Sequence, residues 1–193
     1  MSSSDLASKL VEFEGRRVTR LTRHSWWSVD KATSECSIRA PQVFSLTCGP
    51  LELEFDGCKS LMIASDPSVN GIVVWDKLVP DVTEDEVGYL LPAEDKHGSE
   101  SRWAILRNRP IRFIEILKPL RQTPKQATRP SEVGVIFWFH YGRHIVASHG
   151  LHDGSDDFSV LQMRDLAPGI REHLMAVRVG GERRTRGLQS RWF

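Results

Sequence analysis

The sequence has few cysteines, and their spacing excludes two classes of protein. Its three cysteines, Cys36, Cys48 and Cys58, are odd in number and form no CxxC pair. A disulfide framework needs paired cysteines, and a zinc knuckle needs closely spaced ones, so neither is expected. Cysteine usage of this kind is typical of a reducing compartment. The sequence therefore predicts a cytoplasmic protein.

Long hydrophobic runs are also missing. The chain starts MSSSDLASKL, which lacks a basic patch followed by an apolar stretch, so we expect no signal peptide. No apolar run approaches the roughly 20 residues that a membrane-spanning helix needs. The sequence predicts no membrane partner.

Neither sign of charge is in excess. The chain has 26 Lys and Arg against 25 Asp and Glu, a formal net charge of +1. A dedicated nucleic-acid or membrane-surface binder usually has a clearly positive net charge, so the net charge argues against nucleic acid as a partner. With 40% hydrophobic and 26% charged residues, the 193-residue chain has the composition of a globular protein with a substantial core.

Local motifs for catalysis are absent as well. The sequence has no GxSxG elbow, no GxxxxGK[ST] phosphate loop, no GxGxxG turn, no HExxH pair and no DxDxDG calcium loop. These absences leave enzymatic activity open without favouring it, and no cofactor is predicted.

The sequence does contain a pattern that occurs twice. Residues 50–75 and 134–161 share an apolar alternation, a turn, a second alternating stretch, a turn-rich loop and a short β-branched or aromatic stretch. Alternation with a period of two is typical of half-buried strands. When Phe55 is aligned with Phe139, the other apolar positions coincide: Leu51, Leu53, Leu61 and Ile63 fall on Val135, Phe137, Ile145 and Ala147.

The segments upstream correspond more loosely. Residues 13–22 (FEGRRVTRLT) resemble residues 106–115 (LRNRPIRFIE), with Gly15 on Asn108 and Val18 on Ile111. We therefore predict a mainly β (α+β) fold, in which two similar antiparallel β-hairpin units form a sheet or a barrel-like core with a few short helices. The pattern leaves open whether the two halves share one sheet or form two.

Helix is predicted at three places. The start, SSSDLASKL, has Ser or Asp as a cap; residues 83–91 have the capping-box pattern of Thr83 and Glu86; and residues 168–177 begin with Pro and place Ile170, Leu174 and Val177 on one face. The predicted organisation is a first β unit over 1–75, an acidic connector with a short helix over 76–105, a second β unit and C-terminal helix over 106–180, and a basic tail over 181–193. These segments are expected to form a single compact domain.

The stretch 140–157, HYGRHIVASHGLHDGSDD, raises the question of a metal site. Imidazole and carboxylate groups suit zinc or iron, so a metal-dependent enzyme is one reading. The other reading, which we favour, is the polar end of an ordinary hairpin. The candidate metal ligands are His144, His149, His152 and Asp153.

Charge is segregated along the chain. Acidic residues crowd the connector and the loop after the second hairpin, whereas the strand 16–23, with Arg16, Arg17, Arg20 and Arg23, and the tail are basic. Separated patches suit the steering of a charged protein partner. A third hypothesis for the function is a nucleic-acid-associated protein that uses the basic strand and tail. The predicted partner-binding acids are Asp81, Glu84, Asp85, Glu86, Glu94, Asp95, Asp153, Asp156 and Asp157.

The unit GPLELEFDGCKSLMIASDPSVNGIVVW resembles a unit of small bacterial β-rich proteins, in which an alternating strand ends in Phe and a nearby Gly before a second alternating strand. Some of these are immunity proteins encoded beside secreted toxins. The resemblance covers about a third of the chain, or half with the second copy, and carries over no catalytic or binding residue. It implies a cytoplasmic, non-enzymatic binder that occludes a toxin with a basic cleft.

Overall fold

The computed structural model describes residues 5–57, 59–76, 88–120, 132–153, 157–180 and 186–187. The α-helices are α1 (Asp5–Leu10), α2 (Val29–Glu35), α3 (Val43–Leu46) and α4 (Ser101–Ala104), with short 3-10 turns at Val11–Phe13, Ala40–Gln42, Pro67–Val69, His140–Gly142, Met163–Asp165 and Ile170–His173. The strands are β1 (Arg17–Ser25), β2 (Leu51–Phe55), β3 (Ser60–Asp66), β4 (Gly71–Asp76), β5 (Tyr89–Pro92), β6 (Arg109–Pro110), β7 (Phe113–Pro119), β8 (Gly134–Trp138), β9 (His144–His149), β10 (Phe158–Leu161), β11 (Leu174–Arg178) and β12 (Arg186–Gly187).

The strands form two open antiparallel sheets with the same topology. The first sheet has the order β4-β3-β2-β1-β5, with β6 also paired to β1, and the second has the order β10-β9-β8-β7-β11-β12. The predicted mainly β fold with two similar hairpin units is confirmed. The two units form separate sheets and do not close into a barrel.

The two units also repeat each other's strand register. Leu53 pairs with Leu61 in the first unit, and Phe137 pairs with Ile145 in the second. At the next hairpin, Ile63 pairs with Val74 as Ala147 pairs with Val160. These are the positions that the sequence alignment equates, so the predicted correspondence holds residue by residue through both hairpins.

Two reciprocal hydrogen bonds join the units where their leading segments meet. The Gly15 N–H donates to the Ile111 carbonyl at 2.8 Å, and the Asn108 N–H donates to the Val18 carbonyl at 2.7 Å. Gly15 and Asn108 both have a left-handed backbone, with φ of 82° and 58°, which glycine and asparagine tolerate best. Reciprocal contacts between equivalent residues are the mark of a two-fold relation. The units are therefore related by a local two-fold axis.

One face of each sheet contributes to a shared core. Because successive residues of a strand point to opposite faces, the alternating apolar residues of both units meet between the sheets. Helix α1 adds Leu6 and Leu10, which lie one turn apart on its buried side. The central members of this core are Leu51, Leu53, Phe55, Leu61, Ile63, Val135, Phe137, Phe139, Ile145 and Ala147.

The outer faces of the sheets differ. In the second sheet, Ile136 and Val146 are buried beneath residues 162–173, which we call the cover segment and which contribute Met163 and Leu166 to a second apolar cluster. In the first sheet, the position equivalent to Ile136 is Glu52, whose carboxylate lies 2.7 Å from the Nε2 atom of His24. The second unit thus buries an apolar outer face where the first has a hydrogen-bonded pair of polar side chains.

The closing strand of each unit corrects a helix prediction. The prediction of a helix over 168–177 is wrong. Residues 170–173 form only a short 3-10 turn, and Leu174–Arg178 forms strand β11, which pairs with β7. The prediction of a helix over 83–91 is wrong at 89–91, because these residues belong to β5 and pair with β1. Residues 83–87 lie outside the described residues. The helix at the start is confirmed over Asp5–Leu10. In the described part of the chain, every helix is too short or too polar to cross a bilayer.

Candidate functional site

A cleft of about 260 Å³ opens where α2, the segment after α3 and the start of β10 meet. Its apolar walls are formed by Trp27, Ile38, Leu46 and Phe158. Concave sites with apolar walls and a few polar groups are the usual place for ligands and for the anchor side chains of partners. We therefore take this cleft as the centre of the candidate functional site.

The cleft is shaped by turns that fix its walls. Helix α2 begins after Ser28, whose hydroxyl accepts the Lys31 N–H at 3.2 Å, and ends at Cys36, which lies in the cleft wall. Gly49 has φ of 112°, and a Cβ at this position would lie 1.8 Å from the His24 carbonyl oxygen. Only glycine allows this approach, which holds the segment of Cys48 against the end of β1.

Six polar side chains line the cleft, one of which is Ser159 of β10. Cys36 and Cys48 come from the first unit, and the other three come from the loop between β9 and β10, where His152 Nδ1 lies 3.9 Å from Asp153 Oδ2. The hydrogen bond from the Gly150 N–H to the Asp157 carbonyl, at 3.1 Å, closes the base of this loop. The cleft thus brings two thiols, an imidazole and two carboxylates together: Cys36, Cys48, His152, Asp153 and Asp157.

A fully buried arginine lies behind the cleft wall. The Arg23 Nη2 atom donates to the carbonyls of Thr47 and, at 2.9 Å, Phe158, and the guanidinium lies 4.5 Å from the centre of the Phe158 ring. Within the described residues, its Nε and Nη1 atoms have no hydrogen-bond partner. Burial lowers the pKa of Arg23 to about 9. The side chain ties the first sheet to the first residue of β10 and places a cation beside the cleft.

The thiol of Cys48 is unsuited to nucleophilic catalysis. Burial raises the pKa of Cys48, and the nearby charge of Asp157 raises it further, which outweighs the opposite effect of Arg23. A thiol must ionise to act as a nucleophile, so catalytic cysteines lie in surroundings that lower their pKa. The electrostatic surroundings of Cys48 are therefore the opposite of those of a catalytic cysteine.

A serine and a histidine are also hydrogen-bonded elsewhere in the structure. Ser65 Oγ and His149 Nδ1 are in contact between β3 and β9, and His149 is buried. The contact lies where the two sheets meet. It therefore joins the sheets and is a structural contact.

The candidate metal ligands do not form one site. His144 and His149 are an odd number of residues apart on β9 and point to opposite faces of the sheet. His144 donates from Nδ1 to the Gly142 carbonyl and accepts the Met163 N–H at Nε2, both at 2.9 Å. His152 Nδ1 lies 3.9 Å from Asp153 Oδ2. Among the described residues, no three His, Cys, Asp or Glu side chains are grouped to hold a metal ion.

The predicted partner-binding acids are divided between two places. Glu94 pairs with Arg107 at 3.3 Å, and Asp95 Oδ1 accepts the His97 N–H at 2.9 Å, so both have partners within the segment after β5. Asp153 and Asp157 lie at the cleft. The other predicted acids lie outside the described residues: Asp81, Glu84, Asp85, Glu86 and Asp156.

The basic strand does not form one exposed face. Arg16 and Arg17 are exposed and Arg20 is paired with Glu54 at 3.5 Å, but Arg23 is buried in the core. The prediction of a four-arginine strand face is therefore wrong at Arg23, because a β-bulge between Val18 and Arg20 shifts the alternation of β1. The side chains of the tail lie outside the described residues.

Three large apolar side chains are exposed at the end of β1 and the start of β5. Trp26 is 67% exposed, Tyr89 54% and Leu90 49%. Tyr89 is paired with Ser25 across β1 and β5, and the Trp26 N–H donates to the Cys48 carbonyl at 3.2 Å. These three residues, which we call the aromatic edge, therefore lie beside the segment that forms the cleft wall.

Few features of the sequence indicate this site. The cleft residues come from separate segments of the chain, and the only local signal was the histidine-rich loop 140–157, which supplies His152, Asp153 and Asp157. Cys36, Cys48 and the aromatic edge carried no recognisable spacing. Comparison with protein-family models, with curated proteins and with solved structures found no match to this chain.

Proposed function

We propose that this chain is a non-enzymatic protein-binding module of the immunity or inhibitor type, which acts in the bacterial cytoplasm by covering the functional surface of a partner toxin. The proposal combines the resemblance of the hairpin unit with the properties of the cleft and the aromatic edge. Its single strongest support is the position of three exposed apolar residues, Trp26, Tyr89 and Leu90, beside a cleft lined by carboxylates.

The composition of this surface supports binding. Tryptophan and tyrosine contribute most of the binding energy in many protein interfaces, because they bury large areas with few rotatable bonds. Apolar side chains exposed on neighbouring segments, as Trp26 and Tyr89 are at the end of β1 and the start of β5, are typical of interaction surfaces. The aromatic edge has both properties.

The backbone beneath the aromatic edge is held in place before any partner arrives. A Cβ at Gly88 would lie 2.3 Å from the Ser25 carbonyl oxygen, so the chain enters β5 in close contact with the end of β1. The strand pairing of Ser25 with Tyr89 continues this contact. A pre-ordered surface loses little conformational entropy on binding, which favours tight association.

Binding of a purified partner tests the proposal. The partner is the product of a neighbouring gene that encodes a toxin domain, and the readouts are its dissociation constant and the inhibition of its activity. The Trp26→Ala/Tyr89→Ala double variant is expected to weaken binding by about 30-fold or more, since two interface aromatics together typically contribute about 2 kcal/mol or more. The matched control is Tyr141→Ala, because Tyr141 is 90% exposed and lies at the other end of β9.

Two outcomes contradict the proposal. Equal affinity of the double variant and the Tyr141→Ala control would exclude the aromatic edge as the interface. The absence of any complex with the toxin, at concentrations where the folded state of both proteins is verified by circular dichroism, would exclude the immunity function.

A further inference from the structure

We propose that the cleft receives a basic side chain, arginine or lysine, from the protein partner. This inference rests on the proposed function, since it names the chemistry of the partner's anchor residue. It also explains why a carboxylate-bearing cleft and an exposed aromatic edge lie side by side.

The walls of the cleft suit the stem of such a side chain. Trp27, Leu46 and Phe158 present apolar surface, and the cavity of about 260 Å³ is large enough to enclose one long side chain. Arginine and lysine combine an apolar stem with a charged head, so they bury methylene groups along apolar walls and place the charge on polar ones. A purely apolar anchor would leave the carboxylates beside it poorly solvated.

Two carboxylates supply the complementary charge. Asp153 and Asp157 both line the cleft, and both come from the segment between β9 and β10. The charge of Asp157 acts inside the cleft, because it contributes to the raised pKa of Cys48. A guanidinium or ammonium group entering the cleft would therefore lie beside two carboxylates, whereas the opposing charge of Arg23 is held behind the cleft wall.

The cations near the cleft are already held by other groups. Lys31 Nζ lies 4.1 Å from the centre of the Trp27 ring and 4.0 Å from a Glu35 carboxylate oxygen. Arg23 is fully buried behind Phe158 and donates to backbone carbonyls. The contact of Lys31 with Trp27 shows that this indole accepts a cation on its face.

The experiment uses the full chain and a small probe. The ¹⁵N–¹H NMR spectrum is followed during titration with N-acetyl-arginine amide, and in parallel with N-acetyl-citrulline amide, which has nearly the same shape without the charge. The amides of Cys36, Cys48 and Phe158 report on the cleft. We expect the arginine probe to shift these amides and to bind about tenfold more tightly than the citrulline probe, as for a charge-assisted hydrogen bond.

The variant Asp153→Asn/Asp157→Asn should reduce binding of the arginine probe to the level of the citrulline probe. The control Asp5→Asn/Glu172→Gln removes the same charge at two exposed positions elsewhere and should leave the difference between the probes unchanged. Equal binding of both probes to the unmodified chain, or tenfold selectivity that persists in the Asp153→Asn/Asp157→Asn variant, would overturn the inference.

This test separates the inference from the proposed function. If the arginine probe does not enter the cleft while the toxin complex still depends on Trp26 and Tyr89, the anchor chemistry is wrong and the binding function stands. If the probe binds with the expected selectivity but no toxin complex depends on the aromatic edge, the cleft is a basic-group site and the immunity function is wrong.

Discussion

Ser65 and His149 occupy the same position in the two units and are hydrogen-bonded to each other. Ser65, one residue before the end of β3, is paired with Ile72 in the first sheet. His149, the last residue of β9, is paired with Phe158 in the second sheet. Equivalent residues meet only at the axis that relates two units. Together with the reciprocal bonds of Gly15 and Asn108, this contact places the local two-fold axis through the middle of the molecule.

The Ser65 contact predicts a measurable loss of stability. Ser65→Ala removes one side-chain hydrogen bond between the sheets and is expected to lower the free energy of unfolding by about 1 kcal/mol. Urea unfolding monitored by fluorescence measures the change. Ser68→Ala is the matched control, because Ser68 is exposed and its hydroxyl donates at 2.6 Å to Asp66 Oδ1 within the same turn. An equal loss in both variants would contradict a special role for the axial contact.

Phe55 and Phe139 are a second equivalent pair, and both are buried at the ends of their strands. The Phe55 ring also lies 4.7 Å from the ring of Phe13. Phe55→Ala and Phe139→Ala are each expected to lower the free energy of unfolding by about 3–5 kcal/mol, because each leaves a cavity in the shared core. A loss below about 1 kcal/mol in both variants, measured by denaturant unfolding, would contradict the burial of both rings.

The hairpins were predictable from the sequence because their information is local. Alternation of apolar residues defines which side of each strand faces the core, and the turn residues define the register. The same alternation in Leu51–Phe55 and Gly134–Trp138 was enough to align the units correctly. The short turns after β2 and β8 then bring each strand beside the next one in the chain, β3 and β9.

The closing strands were missed for the same physical reason in both units. Each is short, and its apolar residues fit a helix period as well as a strand period, so only the partner strand decides. β5 pairs with the free edge of β1, and β11 pairs with the free edge of β7. Equivalent hydrogen bonds follow the two strands: the Ala93 N–H donates to the Leu21 carbonyl and the Val179 N–H donates to the Ile114 carbonyl, both at 2.9 Å. Tertiary pairing thus overrides local periodicity.

The acidic segment before β5 provides a prediction about partner binding. Residues 84–86 are two glutamates and an aspartate that precede the aromatic edge in the sequence. The variant Glu84→Lys/Asp85→Lys/Glu86→Lys is expected to weaken association with a basic partner and to slow it at low salt, because electrostatic attraction speeds encounter. Surface plasmon resonance at two salt concentrations measures this, and an unchanged melting temperature verifies the fold. Unchanged affinity would remove these acids from the interface.

Arg23 illustrates what the sequence pattern could not reveal. Its equivalent in the second unit is Ile116, since Arg23 pairs with Leu51 as Ile116 pairs with Val135. An arginine in an alternating strand is normally read as solvent-facing. Its burial depends on two backbone carbonyls, those of Thr47 and Phe158, which are distant in the sequence.

Replacing Arg23 by Met and by Lys is expected to change the free energy of unfolding in different ways. Arg23→Met keeps the length and removes the charge, so it should leave the free energy of unfolding unchanged or raise it by about 1–3 kcal/mol. Arg23→Lys keeps a buried charge but has no planar fork to reach both carbonyls, and it should lower the free energy of unfolding. Denaturant unfolding of both variants at neutral pH checks the signs. A marked loss in Arg23→Met would mean that the hydrogen bonds outweigh the cost of burying the charge.

His144 predicts a loss of stability in mild acid. Burial lowers the pKa of His144, and its Nε2 atom accepts the Met163 N–H that holds the cover segment. The charged groups around it act in opposite directions, Asp165 favouring the protonated form and Arg164 and Arg171 opposing it. Because the unfolded chain takes up this proton at a higher pH than the folded chain, the contribution of His144 to stability is complete above its ordinary pKa of 6.5 and decreases as the pH falls towards the lower folded value. Urea unfolding between about pH 7.5 and pH 5 should show this decrease, and His144→Gln should reduce its slope. The same slope in both proteins would mean that another group causes the acid sensitivity.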